Sequence, residues 1–295
     1  MIYLFACRNS SEDIFKGIYH EMVKRGYDCI RIINDESIVA QESIDKLRDK
    51  PVVLITSDHL NLRDNGYTIL EIINILNPVR RFYASHDLTT PYLIEDEKNY
   101  LYKMNFEIFV HGDLWRNIFE PTKCQIYQVG YPRWINNQST IEYQCVFFMS
   151  SIYIYVERSI QDIYNSFQYI FDNNIPIKLP KCLNSLKFIN HINSLSPNIL
   201  DLDLDTFKIL LKTNTVITNA SSSIIIEAAI AGCNVIHIGT LLNKEYFNEF
   251  DNRVYHTKSE PACGFDTSKI NIMRIAPMEK YKCDVEKLIS IITKE

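Results

Sequence analysis

The fold of this chain is decided by the run Val216-Ile217-Thr218-Asn219-Ala220-Ser221-Ser222-Ser223, which continues through Ile224–Gly232 into Val235–Ile238. The apolar residues that end at Thr218 predict a buried strand, and the apolar residues after Ser223 predict a helix that Gly232 ends. A second apolar run follows and predicts another strand. Strand, helix and strand in this order form a unit in which the two strands lie parallel. The run therefore predicts an α/β fold.

The turn between the first strand and the helix carries three serines, Ser221, Ser222 and Ser223. Small side chains let a phosphate approach the backbone N–H groups at the start of a helix, where the partial positive charge favours an anion. Glu227 lies one turn further along, within reach of a ribose attached to the phosphates. One serine would be enough to cap the helix. Three serines followed by an acid favour a phosphate-binding turn over a simple cap.

The same alternation of strands and helices extends in both directions from this run. Strands are predicted at Met1–Cys7, Cys29–Ile33, Pro51–Thr56, Arg81–Ala84, Ile108–Val110, Ile126–Val129, Cys145–Met149, Ile175–Leu179, Thr215–Thr218 and Asn234–Ile238. Helices are predicted at Ile14–Val23, Ser37–Arg48, Tyr67–Leu76, Ile94–Tyr102, Ser159–Phe171, Phe207–Leu211, Ser223–Ala231 and Asp284–Thr293. The polar run Asn136–Thr140 separates two domains, 1–135 and 141–295. A cleft is expected between them, and parallel strands bind ligands at their carboxyl ends.

Composition excludes several classes of function. The formal net charge of -5 gives no electrostatic attraction to nucleic acid or to an anionic membrane. No apolar run is long enough to span a bilayer and no signal peptide opens the chain, so a cytoplasmic location is expected. The eight cysteines are scattered without a CxxC pair, which predicts reduced thiols and no structural zinc site.

The run Val216–Gly239 resembles the donor-binding motif of GT-B-type proteins. UDP-N-acetylglucosamine 2-epimerases of the sialic-acid pathway have a similar pattern, and the positions of this chain that match it are Asn219, Ser221–Ser223, Glu227-Ala228, Gly232 and Ile238-Gly239. CDP-glycerol glycerophosphotransferases and related capsule or teichoic-acid transferases carry a similar Ser-Ser followed by an acid and a Gly. The resemblance implies a GT-B-like fold, with two Rossmann-like domains whose parallel sheets face a central cleft. It also implies an acceptor-side N-terminal domain and a donor-binding C-terminal domain.

In the N-terminal domain, His86 and Asp87 follow a predicted strand where the epimerases have His-Val-Glu-Ala-Gly and the glycerophosphotransferases have Trp-His-Gly. The resemblance implies that His86 acts as a general base for an acceptor hydroxyl, with Asp87 orienting it. The alternative is a hydrogen-bonded histidine at a strand end. Asp58 matches an acidic residue of the epimerases.

His111-Gly112-Asp113 follows the next predicted strand, and Arg116 comes three residues later. Gly112 would permit close backbone approach, and Asp113 could cap a following helix. His111 is a candidate for contact with a ligand or an acceptor. The alternative is an ordinary histidine in a loop.

Two basic residues are candidates for binding the diphosphate. Gly130-Tyr131-Pro132-Arg133 resembles the Gly-x-Pro-Arg of glycerophosphotransferase-like proteins, and Arg133 could face the cleft, although the run could equally be a turn into the linker. Lys178 and Lys181 lie where related transferases have Lys-x-His-Pro, so either could neutralise the donor's diphosphate.

Two departures from the epimerase pattern favour a transferase. Leu88 stands in place of the glutamate expected two residues after His86, and Met149-Ser150-Ser151-Ile152 replaces a His- and Arg-rich stretch. No GxGxxG follows the first strand, and no flanked DxD pair is present, so neither a dinucleotide cofactor nor a metal is expected. Helix ends and basic side chains would stabilise the leaving diphosphate instead.

The preferred prediction is a metal-independent GT-B-type glycosyltransferase or glycerophosphotransferase of surface-polysaccharide biosynthesis, such as capsule synthesis. It would move a sugar or polyol-phosphate group from a nucleotide-sugar or CDP-polyol donor to a glycan or lipid-linked acceptor, with no further cofactor. One alternative is a UDP-N-acetylhexosamine 2-epimerase, hydrolysing or non-hydrolysing. Another is a catalytically inactive nucleotide-sugar-binding protein. The chain is short for this architecture, which suggests peripheral association with the inner face of the membrane or with a partner subunit.

Overall fold

The structure is a computed structural model of the 295-residue chain. It describes residues 1–7, 14–33, 42–57, 60, 67–85, 94–135, 140–149, 160–179, 186–195, 198–202, 204–219, 223–238, 254–257 and 276–294. The strands within these ranges form two parallel sheets, one of six strands and one of five. This arrangement confirms the α/β class predicted from the alternating strands and helices.

The first sheet contains β1 (Ile2–Cys7), β2 (Cys29–Ile33), β3 (Val52–Thr56), β4 (Arg80–Tyr83), β5 (Glu107–Val110) and β6 (Gln125–Gln128). The labelled helices of this part are α1 (Lys16–Lys24), α2 (Ile69–Leu76), α3 (Ile94–Lys103) and α4 (Asp113–Phe119). Residues 42–45 are also helical, and Glu120–Thr122 form a 3₁₀ turn. The spatial order β2-β1-β3-β4-β5-β6 reverses direction between β1 and β3. All five residues of β3 are buried, as expected for a parallel strand covered on both faces.

The second sheet contains β7 (Tyr143–Phe148), β8 (Ile177–Lys178), β9 (Thr213–Thr218), β10 (Asn234–Ile238) and β11 (Val254–Thr257). Its helices are α5 (Ile160–Ser166), α6 (Gln168–Asp172), α7 (Leu186–Leu195), α8 (Thr206–Leu211) and α9 (Ser223–Ala231). The spatial order β11-β10-β9-β7-β8 reverses direction between β7 and β9. Alternate strand residues such as Phe147, Ile217 and Ile236 form a core with side chains of α5 and α6 such as Ile163 and Ile170.

Several elements differ from the sequence-based expectation. The single helix predicted over Ser159–Phe171 is two helices, because the chain departs from helical geometry at Phe167, whose φ and ψ are -130° and 27°. Helix α7 and strand β11 lie in segments where no element was predicted, and helix α4 is the helix anticipated after Gly112, for which no bounds were predicted. Six of the eight cysteines are described, and no disulfide joins any two of these six. Within the described ranges, no helix combines the length and apolar character that crossing a bilayer requires.

The chain divides into two compact units, with one boundary in the predicted linker and a second boundary, which was not predicted, between residues 279 and 280. Unit 1 comprises residues 1–136 and 280–295, and unit 2 comprises residues 137–279. The predicted second domain ran to residue 295, so its last sixteen residues lie instead in unit 1. Most of the polar linker predicted at Asn136–Thr140 lies outside the described residues.

We call residues 280–294 the C-terminal strap. Its backbone continues the hydrogen bonding of unit 1 beyond β6: the N–H of Tyr131 donates to the carbonyl of Tyr281 at 2.7 Å. The N–H groups of Cys283 and Asp284 donate to the carbonyls of Trp134 and Val129 at 3.0 and 2.8 Å. The strap is therefore bound through main-chain hydrogen bonds, which depend on no particular side chain.

The strap ends in helix α10 (Val285–Thr293), whose apolar side chains Leu288, Ile289 and Ile292 are buried. Arg80 of β4 binds its last turn, since one guanidinium nitrogen donates to the carbonyls of Ile291 and Lys294 at 2.9 and 2.7 Å. The other two nitrogens of the same guanidinium bind both carboxylate oxygens of Glu107 at 2.7 Å. This bidentate pair holds Arg80 in the geometry that the helix carbonyls need. The exposed ion pair Arg25–Glu286 contributes little by comparison.

Contacts with the strap explain why two positions of unit 1 are occupied by glycine. Gly130 has a φ of +78°, and a methyl group on it would overlap the carbonyl oxygen of Lys282. Gly112 is extended, but a methyl group there would lie 2.6 Å from a ring carbon of Tyr281. The close approach predicted at Gly112 therefore exists, and the group that approaches is the strap's own aromatic ring.

Candidate functional site

The turn that contains the predicted phosphate-binding serines lies at the carboxyl end of β9. Strand β9 pairs with β7 on one side and with β10 on the other, and all six of its residues are buried. The order of the sheet reverses between β7 and β9, and open α/β sheets bind ligands in the crevice outside such a switch point. The carboxyl end of β9 and the start of α9 therefore lie where the topology favours a ligand.

Two of the candidate donor-binding residues flank this turn within the described part of the chain. Asn219 follows β9 and is half-buried, and Ser223 is the first residue of α9 and is also half-buried. Ser221 and Ser222 lie outside the described residues. Three residues in the predicted constellation therefore have known positions: Asn219, Ser223 and Glu227.

Glu227 lies one turn after Ser223 in a helix whose residues from Ile224 to Ala231 are all buried. The glutamate itself is only 4% exposed. Burying a carboxylate is unfavourable unless polar partners compensate it, so an acid in such an apolar helix marks a polar site. Gly232, with a φ of +93°, ends the helix as predicted.

A row of side chains crosses the sheet at the level of Thr218. Thr218 is in register with Phe148 of β7 and with His237 of β10, and Phe148 is in register with Lys178 of β8. Residues in register on parallel strands project to the same face of the sheet. Thr218 and His237 are both almost fully buried. His237 was not among the predicted site residues, although a histidine inside the apolar run Asn234–Ile238 breaks the pattern of that strand.

Lys178 has partners other than the predicted diphosphate. Its ammonium nitrogen donates to the carbonyls of Asp201 and Leu202, both at 2.8 Å, and the residue is 5% exposed. An ammonium has three donors, so two of them fix the segment that follows α7. Lys178 thus ties this segment to the end of β8, and Lys181 lies outside the described residues.

In unit 1, His111 is in the core instead of at a ligand-facing surface. It is 1% exposed, and its ring lies edge-on to Trp115 and Tyr131 with centroids 5.3 and 5.1 Å away. Its Nε2 is 2.9 Å from the carbonyl of Ser85, and its Nδ1 is 3.4 Å from the carbonyl of Gly130. This corrects the expectation that His111 contacts a ligand or an acceptor.

The residues that follow His111 point elsewhere. Asp113 is the first residue of α4 and is exposed, the helix is capped by Gly112, and no side chain accepts the capping hydrogen bond. The predicted capping role of Asp113 is therefore wrong. Arg116, one turn later, is also exposed. Arg133 is half-buried and follows Gly130 in a turn that the strap covers.

The remaining candidates, Asp58, His86 and Asp87, lie outside the described residues, and their roles stay predictions. The residues just before them are described: Ser57 and Ser85 are buried at the carboxyl ends of β3 and β4. Strand β3 borders the switch point of the first sheet, and β4 is its outer neighbour. Among the described residues, no group of three or more His, Cys, Asp or Glu side chains could hold a metal ion.

Burial of His111 predicts a pH dependence of stability. Desolvation lowers the pKa of its imidazole to about 4, whereas an unfolded histidine titrates near 6.5. Between these values the unfolded chain binds the additional proton, so the free energy of unfolding rises with pH. This contribution is complete above pH 6.5 and lost as the pH falls to 4, and it amounts to about 3 kcal/mol.

Urea unfolding from pH 7.5 to pH 4.5 tests this dependence, with His111→Gln as the comparison that cannot titrate. The advantage of the natural chain over His111→Gln should shrink steadily toward acid pH. A constant difference would contradict the lowered pKa.

With this geometry in view, the chain can be compared with known proteins. No family model and no curated protein matches its sequence. The S. aureus MnaA–UDP co-structure superimposes with a TM-score of 0.62 at 11% identity, over 99% of this chain and 96% of its own. A candidate UDP-N-acetylglucosamine 2-epimerase from Listeria monocytogenes superimposes with a TM-score of 0.54 at 10% identity, over 100% of this chain and 97% of its own.

The chain has a GT-B-like fold. Both superpositions cover almost the whole of each chain, and the two Rossmann-like units with parallel sheets agree with the class that the run Val216–Gly239 predicted. Identities this low show the fold and do not extend to the reaction.

Proposed function

We propose that this GT-B-like chain is a transferase that binds a nucleotide-activated donor in unit 2 and moves its sugar or polyol-phosphate group to an acceptor. The observation that carries the proposal is the β9–turn–α9 segment, which combines a switch-point position, Ser223 at the helix start and the buried Glu227. The N–H groups at the start of α9 would bind the donor's phosphates, and Glu227 would bind the ribose.

The chemistry of such a transfer requires a base for the acceptor and a stabiliser for the leaving group. We assign the base to His86, oriented by Asp87, and the stabilisation of the departing diphosphate to the start of α9 and to Arg133. The helix start could carry this role without a metal, because its N–H groups would face the developing charge of a phosphate bound there. The donor is then the one small molecule that the reaction needs besides its acceptor.

The acceptor and the cellular setting follow from the same resemblance. We propose a glycan or lipid-linked acceptor of surface-polysaccharide or capsule synthesis, reached from the cytoplasmic side of the membrane. Glycerophosphotransfer from a CDP-linked donor is the polyol form of the same reaction.

Bulky replacement of the serines tests the donor site directly. In the double variant Ser222→Phe, Ser223→Phe, the aromatic rings should exclude the phosphates from the helix start and weaken nucleotide binding at least 100-fold. Calorimetry with UDP, CDP and GDP measures this loss, and the best-binding nucleotide identifies the base. The control is Ser290→Phe, at an exposed position of α10 in unit 1, which should bind like the natural chain. Equal affinity in the double variant would refute the assignment.

A 2-epimerase acting on a UDP-N-acetylhexosamine is the second candidate, because a candidate enzyme of that name shares the fold over the whole chain. The presence of Leu88 in place of the expected glutamate argues against the epimerase reaction. Incubation with UDP-N-acetylglucosamine alone separates the two reactions, since a transferase leaves the sugar nucleotide unchanged until an acceptor is added. Binding without turnover under either condition, with His86→Ala indistinguishable from the natural chain, would identify a nucleotide-sugar-binding protein.

A further inference from the structure

The carboxyl ends of three neighbouring strands meet at one buried histidine. Ser85 follows β4, His111 follows β5 and Gly130 follows β6, and these strands are neighbours in the sheet. The imidazole of His111 lies between the other two segments, with Nε2 2.9 Å from the carbonyl of Ser85 and Nδ1 3.4 Å from the carbonyl of Gly130. It thus links the residue that follows β4 to the residue that follows β5.

The protonation state of His111 follows from its surroundings. Burial lowers its pKa to about 4, so the ring is neutral at physiological pH and carries one N–H. Both neighbouring groups are carbonyl acceptors, and the proton belongs on the nitrogen with the shorter contact. Nε2–H therefore donates to Ser85, and the rings of Trp115 and Tyr131 hold the imidazole in this orientation.

We propose that His111 is a positioning residue, which anchors the Ser85 carbonyl one residue before His86 in the chain. This role rests on the proposed function, in which His86 is the base. A general base must lie within hydrogen-bond reach of the proton it removes, and displacements near 1 Å can reduce a rate about 100-fold. A rigid anchor one residue before the base supplies that placement.

Two uncharged substitutions of His111 distinguish the effect of the hydrogen bond to Ser85 from the effect of side-chain size. In His111→Gln the amide nitrogen can take the place of Nε2 and keep the bond to Ser85, whereas in His111→Asn the shorter side chain reaches only the Nδ1 position. A third variant, Trp115→Phe, disturbs the aromatic packing around the imidazole and leaves the bond to Ser85 intact. If His111 only stabilised the fold, Trp115→Phe and His111→Asn should have similar effects on His86.

The readout is the ring resonance and pKa of His86 in nuclear magnetic resonance spectra of ¹⁵N-histidine-labelled chain, assigned with His86→Gln. We expect His111→Asn to shift the His86 titration, while His111→Gln and Trp115→Phe titrate like the natural chain. UDP affinity, which reports on unit 2, should be equal in all of them. An unchanged His86 titration in His111→Asn would overturn the positioning role.

The natural chain provides a test that does not depend on any variant folding. Its His111 must appear as the Nε2–H tautomer from pH 5 to pH 8, and an Nδ1–H tautomer or a titration in that range would overturn the proposal. Failure of the proposed function is seen separately, as the absence of UDP, CDP and GDP binding by the natural chain. If a bound donor is also consumed, kcat should fall about tenfold or more in His111→Asn with KM unchanged.

Discussion

A chain that stops at Glu279 is expected to lose the folded structure of unit 1, even though all six strands of its sheet are still present. The deleted strap supplies three fully buried aliphatic side chains, Leu288, Ile289 and Ile292. Burying them stabilises the fold by about 5 to 9 kcal/mol, which is comparable to the whole stability of a typical domain. The main-chain hydrogen bonds to Val129, Tyr131 and Trp134 would be lost as well.

Tryptophan fluorescence is well suited to this measurement. The chain has two tryptophans, Trp115 and Trp134, which both lie buried in unit 1. Trp115 packs edge-on against Tyr281 at 5.8 Å, and the carbonyl of Trp134 accepts from Cys283. Emission of the truncated chain should therefore move to the wavelength of solvent-exposed indole. A blue-shifted, cooperatively unfolding signal from the truncated chain would show that unit 1 does not need the strap.

Supplying the strap as a peptide of residues 280–295 provides the control. The peptide should restore buried-tryptophan emission in the truncated chain, because its contacts do not require covalent continuity with unit 2. The same peptide with Leu288→Asp should not, since it would place a charge at a position that is fully buried.

Gly130→Ala should destabilise the chain by about 2 to 5 kcal/mol, the second largest effect expected for a change in this chain. Two terms add. The φ of +78° disfavours any residue with a Cβ by about 1 to 2 kcal/mol, and the new methyl would overlap the carbonyl oxygen of Lys282. That oxygen belongs to the backbone of the strap, so relief requires the strap to move away from β6.

Gly26 is the matched control for this substitution. Its φ is +86°, but a methyl group there has nothing within 4 Å. Gly26→Ala should therefore show the conformational term alone, about 1 to 2 kcal/mol. Urea unfolding followed by tryptophan emission compares the two variants. Equal destabilisation would mean that the strap is not packed against Gly130 as described.

The elements with strong local patterns could be predicted from the sequence. Strands Cys29–Ile33 and Asn234–Ile238 and helix Ser223–Ala231 have the predicted bounds, because each is an apolar run between clear breaks. A helix was expected after Gly112, but its cap was predicted one residue too late, because Asp113 is a common capping residue and here it is the first residue of α4. The sequence also contains the capping box of α2, which is formed by Thr68 and Glu71.

The strap could not be predicted, because nothing local distinguishes a helix that packs on its own unit from one that packs on the other. Asp284–Thr293 was correctly predicted as a helix. Its amphipathic pattern shows that one face is buried, but it does not identify the surface against which that face packs. The information lies in long-range complementarity, such as Gly112 making room for Tyr281. A single sequence does not display that pairing.

The candidate site could also be predicted only in part. Sequence patterns selected residue types suited to phosphate chemistry, and Glu227 is indeed a buried acid beside the turn. The same patterns could not tell whether a polar side chain is already used by the protein. His111 and Lys178 were both selected for a ligand, yet each is directed at backbone carbonyls.

The assignment of the strap to unit 1 has a consequence for how the protein is made. Residues 280–295 leave the ribosome after unit 2, which occupies residues 137–279. At about 5 to 20 residues per second, unit 1 must wait roughly 7 to 30 seconds for the peptide that completes it. During this interval the apolar groups that α10 later covers are open to solvent. Nascent chains of this protein should therefore present a chaperone-binding surface on their first part, which is synthesised earliest and finishes folding last.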